Sequence, residues 1–305
     1  MSTADVLPPA GGRVNTATLT APVSRTGHDT VPLPRLIAAE LRWIFRRPRT
    51  LAVLGLLALV PIVIGIGLTL VGQNSSGPGG GDASAALLSS AVNNAFVLPI
   101  AAMVMTLTLL LPLASAMAGA DAIAGEAAHG TLRGWLVAPV SRGRLLTVKA
   151  IGVAIVSVVA VLGMCVTGVV TGLILNGTDS LFTLSGTTLS LGGALVRILV
   201  VAGWIVLQMW AVGAVALAVS SWTEHPMLVV ASVLAGNIVF TILGFLTSLD
   251  WLHPFLLTQN WTEAPTEVLQ DPMSSTMLGE GALRAVCYLV VGLSVAYGRL
   301  ATRDG

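Results

Sequence analysis

The residues able to do chemistry in this chain are few, and one stretch between apolar runs, 119–149, carries charges of both signs. It reads Gly119-Ala-Asp121-Ala-Ile-Ala-Gly125-Glu126-Ala-Ala-His129-Gly130-Thr131-Leu132-Arg133-Gly134-Trp135-Leu136-Val-Ala-Pro139-Val140-Ser141-Arg142-Gly-Arg144-Leu145-Leu146, with Lys149 just beyond. Acids and bases alternate here, yet no nucleophile stands beside a base and a third orienting group, as covalent catalysis requires. The chain has no Gly-x-x-x-x-Gly-Lys-Ser/Thr loop, so it lacks the usual cradle for the phosphates of ATP. His-Glu-x-x-His, Cys-x-x-Cys and Gly-x-Ser-x-Gly are also missing. His28, His129, His225 and His253 are scattered over the tail and the connections, and Cys165 and Cys287 lie inside apolar runs, where cysteine is ordinarily a small buried hydrophobe. No catalytic and no metal-ligating residue is therefore assigned. What the stretch offers is contact. Leu132, Trp135 and Leu136 make a one-sided apolar patch on a short helix that Pro139 ends, flanked by both signs of charge, a pattern that suits docking into a groove on a soluble partner.

The elements around this stretch belong to a membrane. Of 305 residues 55% are hydrophobic and 10% charged, against roughly a quarter charged in ordinary soluble domains. A polar shell cannot be made from so few charges, and the surplus apolar surface must face lipid. About 20 apolar residues cross the hydrocarbon core as a helix, and six runs qualify: Leu51–Val71, Asn94–Ala118, Ile151–Leu175, Val196–Ser220, Pro226–Leu249 and Gly281–Gly298. The expected fold is an all-α membrane protein with six transmembrane helices. Ahead of the spans, residues 1–32 lack periodicity and read as a disordered tail. In 33–47, Leu33, Ile37, Leu41, Ile44 and Phe45 recur at helical spacing while Arg35, Arg42, Arg46 and Arg47 fill the other faces. That is the pattern of an amphipathic helix lying in the membrane interface against lipid headgroups. Residues 250–280 carry Trp251, Phe255 and Trp261 among prolines, and short helices dipping into the outer interface are expected there.

Charge orients the spans. Thirteen of the 15 arginines and lysines fall in the N-terminal region, in 119–150 and at the C-terminus, and only Arg197 and Arg284 fall on the other side. Positive connections stay in the cytoplasm, so both termini are expected to be cytoplasmic, in a multi-pass protein of the cell (plasma or inner) membrane. A net charge of +1 points to no nucleic-acid partner.

Glu126, Gly130-Thr131-Leu132, Pro139-Val140-Ser141-Arg142, Leu145-Leu146 and Lys149 together resemble the coupling segment of the ABC-2 family of transporter permeases, and the six-span plan with its interfacial helix is similar throughout 33–305. His129 and the pair Gly134-Trp135 depart from the family's usual residues. The resemblance implies the permease subunit of an ATP-binding cassette transporter, most readily an exporter. It implies a separate nucleotide-binding ATPase subunit that holds ATP and Mg, and a second permease subunit, identical or different. It also assigns ATPase coupling to segment 119–147 through Asp121, Glu126, Gly130, Thr131, Leu132, Arg133, Trp135, Leu136 and Arg142, with the interfacial helix (Ile37, Leu41, Arg42, Phe45 and Arg46) as a second point of thrust. A non-transport scaffold or assembly protein and a secondary transporter are the alternatives; the second is disfavoured because no charge is expected near a bilayer midplane. Low charge inside the spans fits a hydrophobic or amphipathic cargo, drug-like or lipid.

Within the spans, Gln208 and Asn237 are the deepest amides. They either line a substrate route or bond across helices as packing contacts. Arg197 and Arg284 either reach headgroups along their own stems or recognise an anion, with Glu280 a possible mate for Arg284. Gly168 and Gly172 permit a close helix contact, internal or between subunits.

Overall fold

Pro48 determines how the chain enters the bundle. A residue before proline is pushed to extended backbone, and Arg47 has φ −78° and ψ 122°. Helix α1 (Leu33–Arg46) therefore stops, and α2 (Pro48–Gly72) starts at once, with proline at its first position where no N–H is needed. The computed structural model describes residues 32–72, 87, 90–91, 94–128, 141–177, 190–271 and 275–302. Nearly all of the tail expected over 1–32 lies outside them, as do residues 129–140. The described residues contain no strand.

After α2 come α3 (Val97–Leu107), α4 (Leu110–Ala120), α5 (Arg142–Asn176), α6 (Leu191–Ser220), α7 (Pro226–Gly244) and α8 (Thr276–Thr302). Five of these are long and apolar enough to cross a membrane alone, and α3 with Leu110–Ala128, bent by 57° from it, makes six if that pair is counted as one span. The molecule is thus an all-α membrane protein. Alternate spans meet at alternate ends. Arg49 at the start of α2 pairs with Asp121 beyond the end of α4, and Arg142 at the start of α5 bonds Leu300 and Ala301 at the end of α8. At the far end, Gly172 of α5 lies against Ala95, and Arg197 of α6 reaches Val268 and Gln270. Exposed Leu56, Leu59, Val63, Ile66 and Leu70 recur along α2 at helical spacing, an apolar face that only lipid or another apolar partner satisfies.

The second span, expected to be continuous over Asn94–Ala118, is broken. Pro112 has no N–H for the carbonyl of Thr108 four residues back, and its ring crowds that carbonyl. The helix yields at Thr108–Leu109, where Leu109 has φ −140° and ψ −52°. The released Thr108 oxygen accepts a 2.9 Å bond from Asn237 Nδ2 of α7. Gly168 and Gly172 make an internal contact: a Cβ at Gly168 would lie 2.7 Å from Pro99, and one at Gly172 would lie 2.5 Å from the Ala95 oxygen.

The outer segment is packed on the bundle more than it dips outward. It comprises a 3-10 stretch Thr247–Phe255 and a single turn Ala264–Glu267. Trp251 and Phe255 are exposed as expected of interface aromatics, but Leu256, Leu257, Trp261, Val268 and Leu269 are buried. Arg197 and Arg284 fasten this segment. Arg197 donates to Val268 O at 2.9 Å and Gln270 O at 2.8 Å, and Arg284 to Leu256 O at 3.4 Å. Arg284 meets Glu280 through the backbone oxygen, at 3.3 Å.

Candidate functional site

Glu40 is the one buried residue of α1. It sits in the apolar stripe of that helix, a turn before Ile44, and Gly152 of α5 lets the stripe approach closely. A Cβ at Gly152 would lie 2.9 Å from Ile44 Cδ1 and 3.4 Å from Glu40 Cγ. Lys149, three residues before Gly152 on the same face of α5, is 1% exposed. Its ammonium donates at 2.9 Å to each Glu40 oxygen and also donates to Glu126 Oε1. Glu126 follows the fourth helix by one turn, so one buried lysine joins three elements.

A second pair adjoins this one. Asp121 accepts from Arg49 and lies 3.3 Å from Arg47 Nη1. The Arg47 guanidinium stacks 3.2 Å from the centre of the Trp43 ring, and Lys149 Nζ lies 5.4 Å from that same centre. Three carboxylates thus face three cations around one indole, with no net charge. Between them lies a cavity of about 40 Å³, walled by Glu40, Trp43, Arg47, Arg49, Asp121 and Lys149 on its polar side and by Val53, Leu54, Met117 and Val156 on the other. That is room for roughly two or three waters. Lys149, Glu40 and Glu126 are nearly sealed from solvent, whereas Arg49 is half-exposed; among the sealed three, breaking one pair leaves an uncompensated ion, so they fix orientation strongly. The cluster is built to hold α1, α2, the end of α4 and α5 in one relation.

Of the residues expected to couple to an ATPase, Asp121 and Glu126 come together here. Arg142 does not join them; it satisfies the last carbonyls of α8, at 2.7 Å to Leu300 O and 2.9 Å to Ala301 O. Gly130, Thr131, Leu132, Arg133, Trp135 and Leu136, and with them the expected coupling helix, lie outside the described residues. On the interfacial helix, Ile37, Leu41 and Phe45 are half-buried while Arg42 and Arg46 are exposed, as an amphipathic helix requires. Gln208 is fully buried and engaged at both ends, donating to Gly281 O at 3.1 Å and accepting from Trp261 Nε1 at 3.2 Å. Asn237 holds the broken span. Among the described residues no group of three or more His, Cys, Asp or Glu side chains could hold a metal ion.

Sequence reasoning missed Glu40 altogether and used Lys149 to orient the chain and as part of the coupling-segment resemblance, without foreseeing its partners. Two signals were present. Glu40 is an acid within an apolar stripe, and Lys149 is the single lysine of the chain. The expectation about charge concerned the span centres, and this buried cluster sits at the ends of the helices.

A family model of the ABC-2 family transporter proteins matches residues 36–304. The chain belongs to the ABC-2 transporter family. No curated protein matches it. Family membership makes this permease a membrane component of an ABC transporter, not itself the ATPase, and implies partnership with an ATP-binding subunit. The match begins inside α1 and runs to the end of α8, so every member of the charge cluster falls within it.

Proposed function

We propose that this ABC-2 permease exports a hydrophobic or amphipathic compound across the cell membrane, and that the charge cluster around Lys149 carries the ATPase's motion into the spans. The single observation behind the reading is that Lys149 ties α1, the segment after α4, and α5 into one buried joint. The ATPase docks from the cytoplasm on 119–147, through Leu132, Trp135 and Leu136 with Glu126 and Arg133 beside them. Pushing that segment moves Glu126, which pulls Lys149 and so tilts α5 together with α1. Both termini are cytoplasmic on this reading, and a second permease subunit completes the route.

The cargo class rests on a groove of about 750 Å³ between α5, α6 and α8. Its walls include Leu146, Val153, Trp210, Leu217, Leu293 and Tyr297, and its size is that of a small-molecule site. It lies toward the end that carries Arg142, the end proposed to be cytoplasmic. An amphiphile from the inner leaflet can therefore enter it, which favours export.

The test is reconstitution with the ATPase in inverted vesicles. Uptake of a hydrophobic dye should depend on ATP, and filling the groove with Ala150→Leu should raise the KM for the dye with little change in basal ATP hydrolysis. Unaltered dye kinetics in that variant would remove the groove from the route.

A further inference from the structure

The turn that runs from Asp121 to the residue before Glu126 is not α-helical. Asp121–Gly125 form a π-helix at the end of α4. A side chain that inserts into the i to i−4 ladder opens a helical turn, and here the inserted group is visible. The Ser220 hydroxyl accepts from Ala124 N at 2.8 Å and donates to Ala120 O at 3.3 Å. Those are the two groups that would bond to each other in an α-helix. Ser220 is fully buried at the end of α6, and small residues bring it there. One turn earlier, a Cβ at Gly119 would lie 2.6 Å from the Ala216 Cβ and 3.2 Å from the Gly213 oxygen. Only a glycine lets α4 and α6 close to that distance.

The π-turn has a consequence for the acids. Residues five apart stand about 140° apart around an α-helix. Under i to i+5 bonding they come back to nearly the same face. Asp121 and Glu126 are five apart, and both reach one cationic cluster, Asp121 to Arg47 and Arg49 and Glu126 to Lys149. We propose that Ser220 is a positioning residue for coupling: its hydroxyl holds the turn open so that Asp121 and Glu126 share a face and reach one cationic cluster. The link to coupling rests on the function proposed above; the register of the turn does not.

The experiment separates the two. In a permease with Cys165→Ala and Cys287→Ala, spin labels at Ala128→Cys and Thr147→Cys, both exposed, report the distance from the segment after the turn to α5. Ser220→Ala lets Ala124 bond Ala120 directly, so the turn closes to α and rotates residue 128, a distance change of about 5 Å. Deleting Ala122 in that background makes the acids four apart and returns them to one face, so the distance should revert. In the reconstituted transporter, Ser220→Ala should cut transport per ATP hydrolysed by about tenfold, and the deletion should restore most of it. An unmoved distance in Ser220→Ala overturns the proposal, as does a deletion that restores neither the distance nor, should Ser220→Ala fail to insert, its assembly. A wild-type complex without coupled hydrolysis would refute the proposed function instead, while the distances still decide the register.

Discussion

Lys149 has two carboxylates within hydrogen-bond reach and almost no access to solvent. Its removal leaves Glu40 and Glu126 facing each other in a dry site. Losing one partner of a buried ion pair costs about 3–5 kcal/mol, so Lys149→Met should lower the melting temperature of the purified permease sharply. Combining it with Glu40→Gln and Glu126→Gln removes the stranded charges, and the triple variant should melt well above the single one. A single variant as stable as wild type would mean that water reaches the cluster freely. Gln208 behaves differently because its partners are neutral. Gln208→Leu strands Trp261 Nε1, at about 1–3 kcal/mol for a buried group left without a partner, while the Gly281 oxygen keeps its bond within α8. Its effect should be on stability and not on transport per ATP, measured by melting and by reconstituted turnover side by side.

At the scale of elements, the bent span is a balance between one proline and one distant amide. Asn237→Ala leaves the Thr108 oxygen without its bond, a loss of about 1–3 kcal/mol. Adding Pro112→Ala supplies the missing N–H within the helix, so the double variant should recover stability in a thermal melt, with a straighter span. Additive losses would show that the bend has another cause. The period of Leu33, Ile37, Leu41, Ile44 and Phe45 made α1 readable from sequence, and Pro48 marked its end, because both signals are local. Pro112 was equally visible, but its effect depended on an acceptor for the freed carbonyl, and Asn237 lies 129 residues away. The π-turn was unreadable for the same reason: its cause, Ser220, stands on another helix. Contacts of glycine were half readable. The Gly168–Gly172 spacing announced a close approach, and only the fold shows Pro99 and Ala95 as the surfaces approached. Gly172→Ala should therefore cost about 1–3 kcal/mol through overpacking against backbone, seen as lower expression and melting, whereas Gly55→Ala, with nothing near its Cβ, should change neither.

Among the described residues the molecule is a lipid-facing bundle with a buried charged corner around Lys149. Apolar runs of spanning length were enough to set out an all-α membrane fold in sequence, since they follow from the bilayer as solvent. The corner was not, because Glu40, Glu126 and Lys149 are brought together across up to 109 residues. What makes the corner matter is its position between the segment expected to meet the ATPase and the helices that must move. The central claim is that motion passes through it. Its most direct test is substrate-stimulated ATP hydrolysis by the permease copurified with its ATPase, comparing wild type with Glu126→Gln. Substituting the neutral amide keeps the shape of the side chain and weakens its hold on Lys149. Basal hydrolysis and complex assembly should persist while stimulation by substrate falls about tenfold. Full stimulation in Glu126→Gln, with the complex intact, would contradict the account and place the transmission elsewhere.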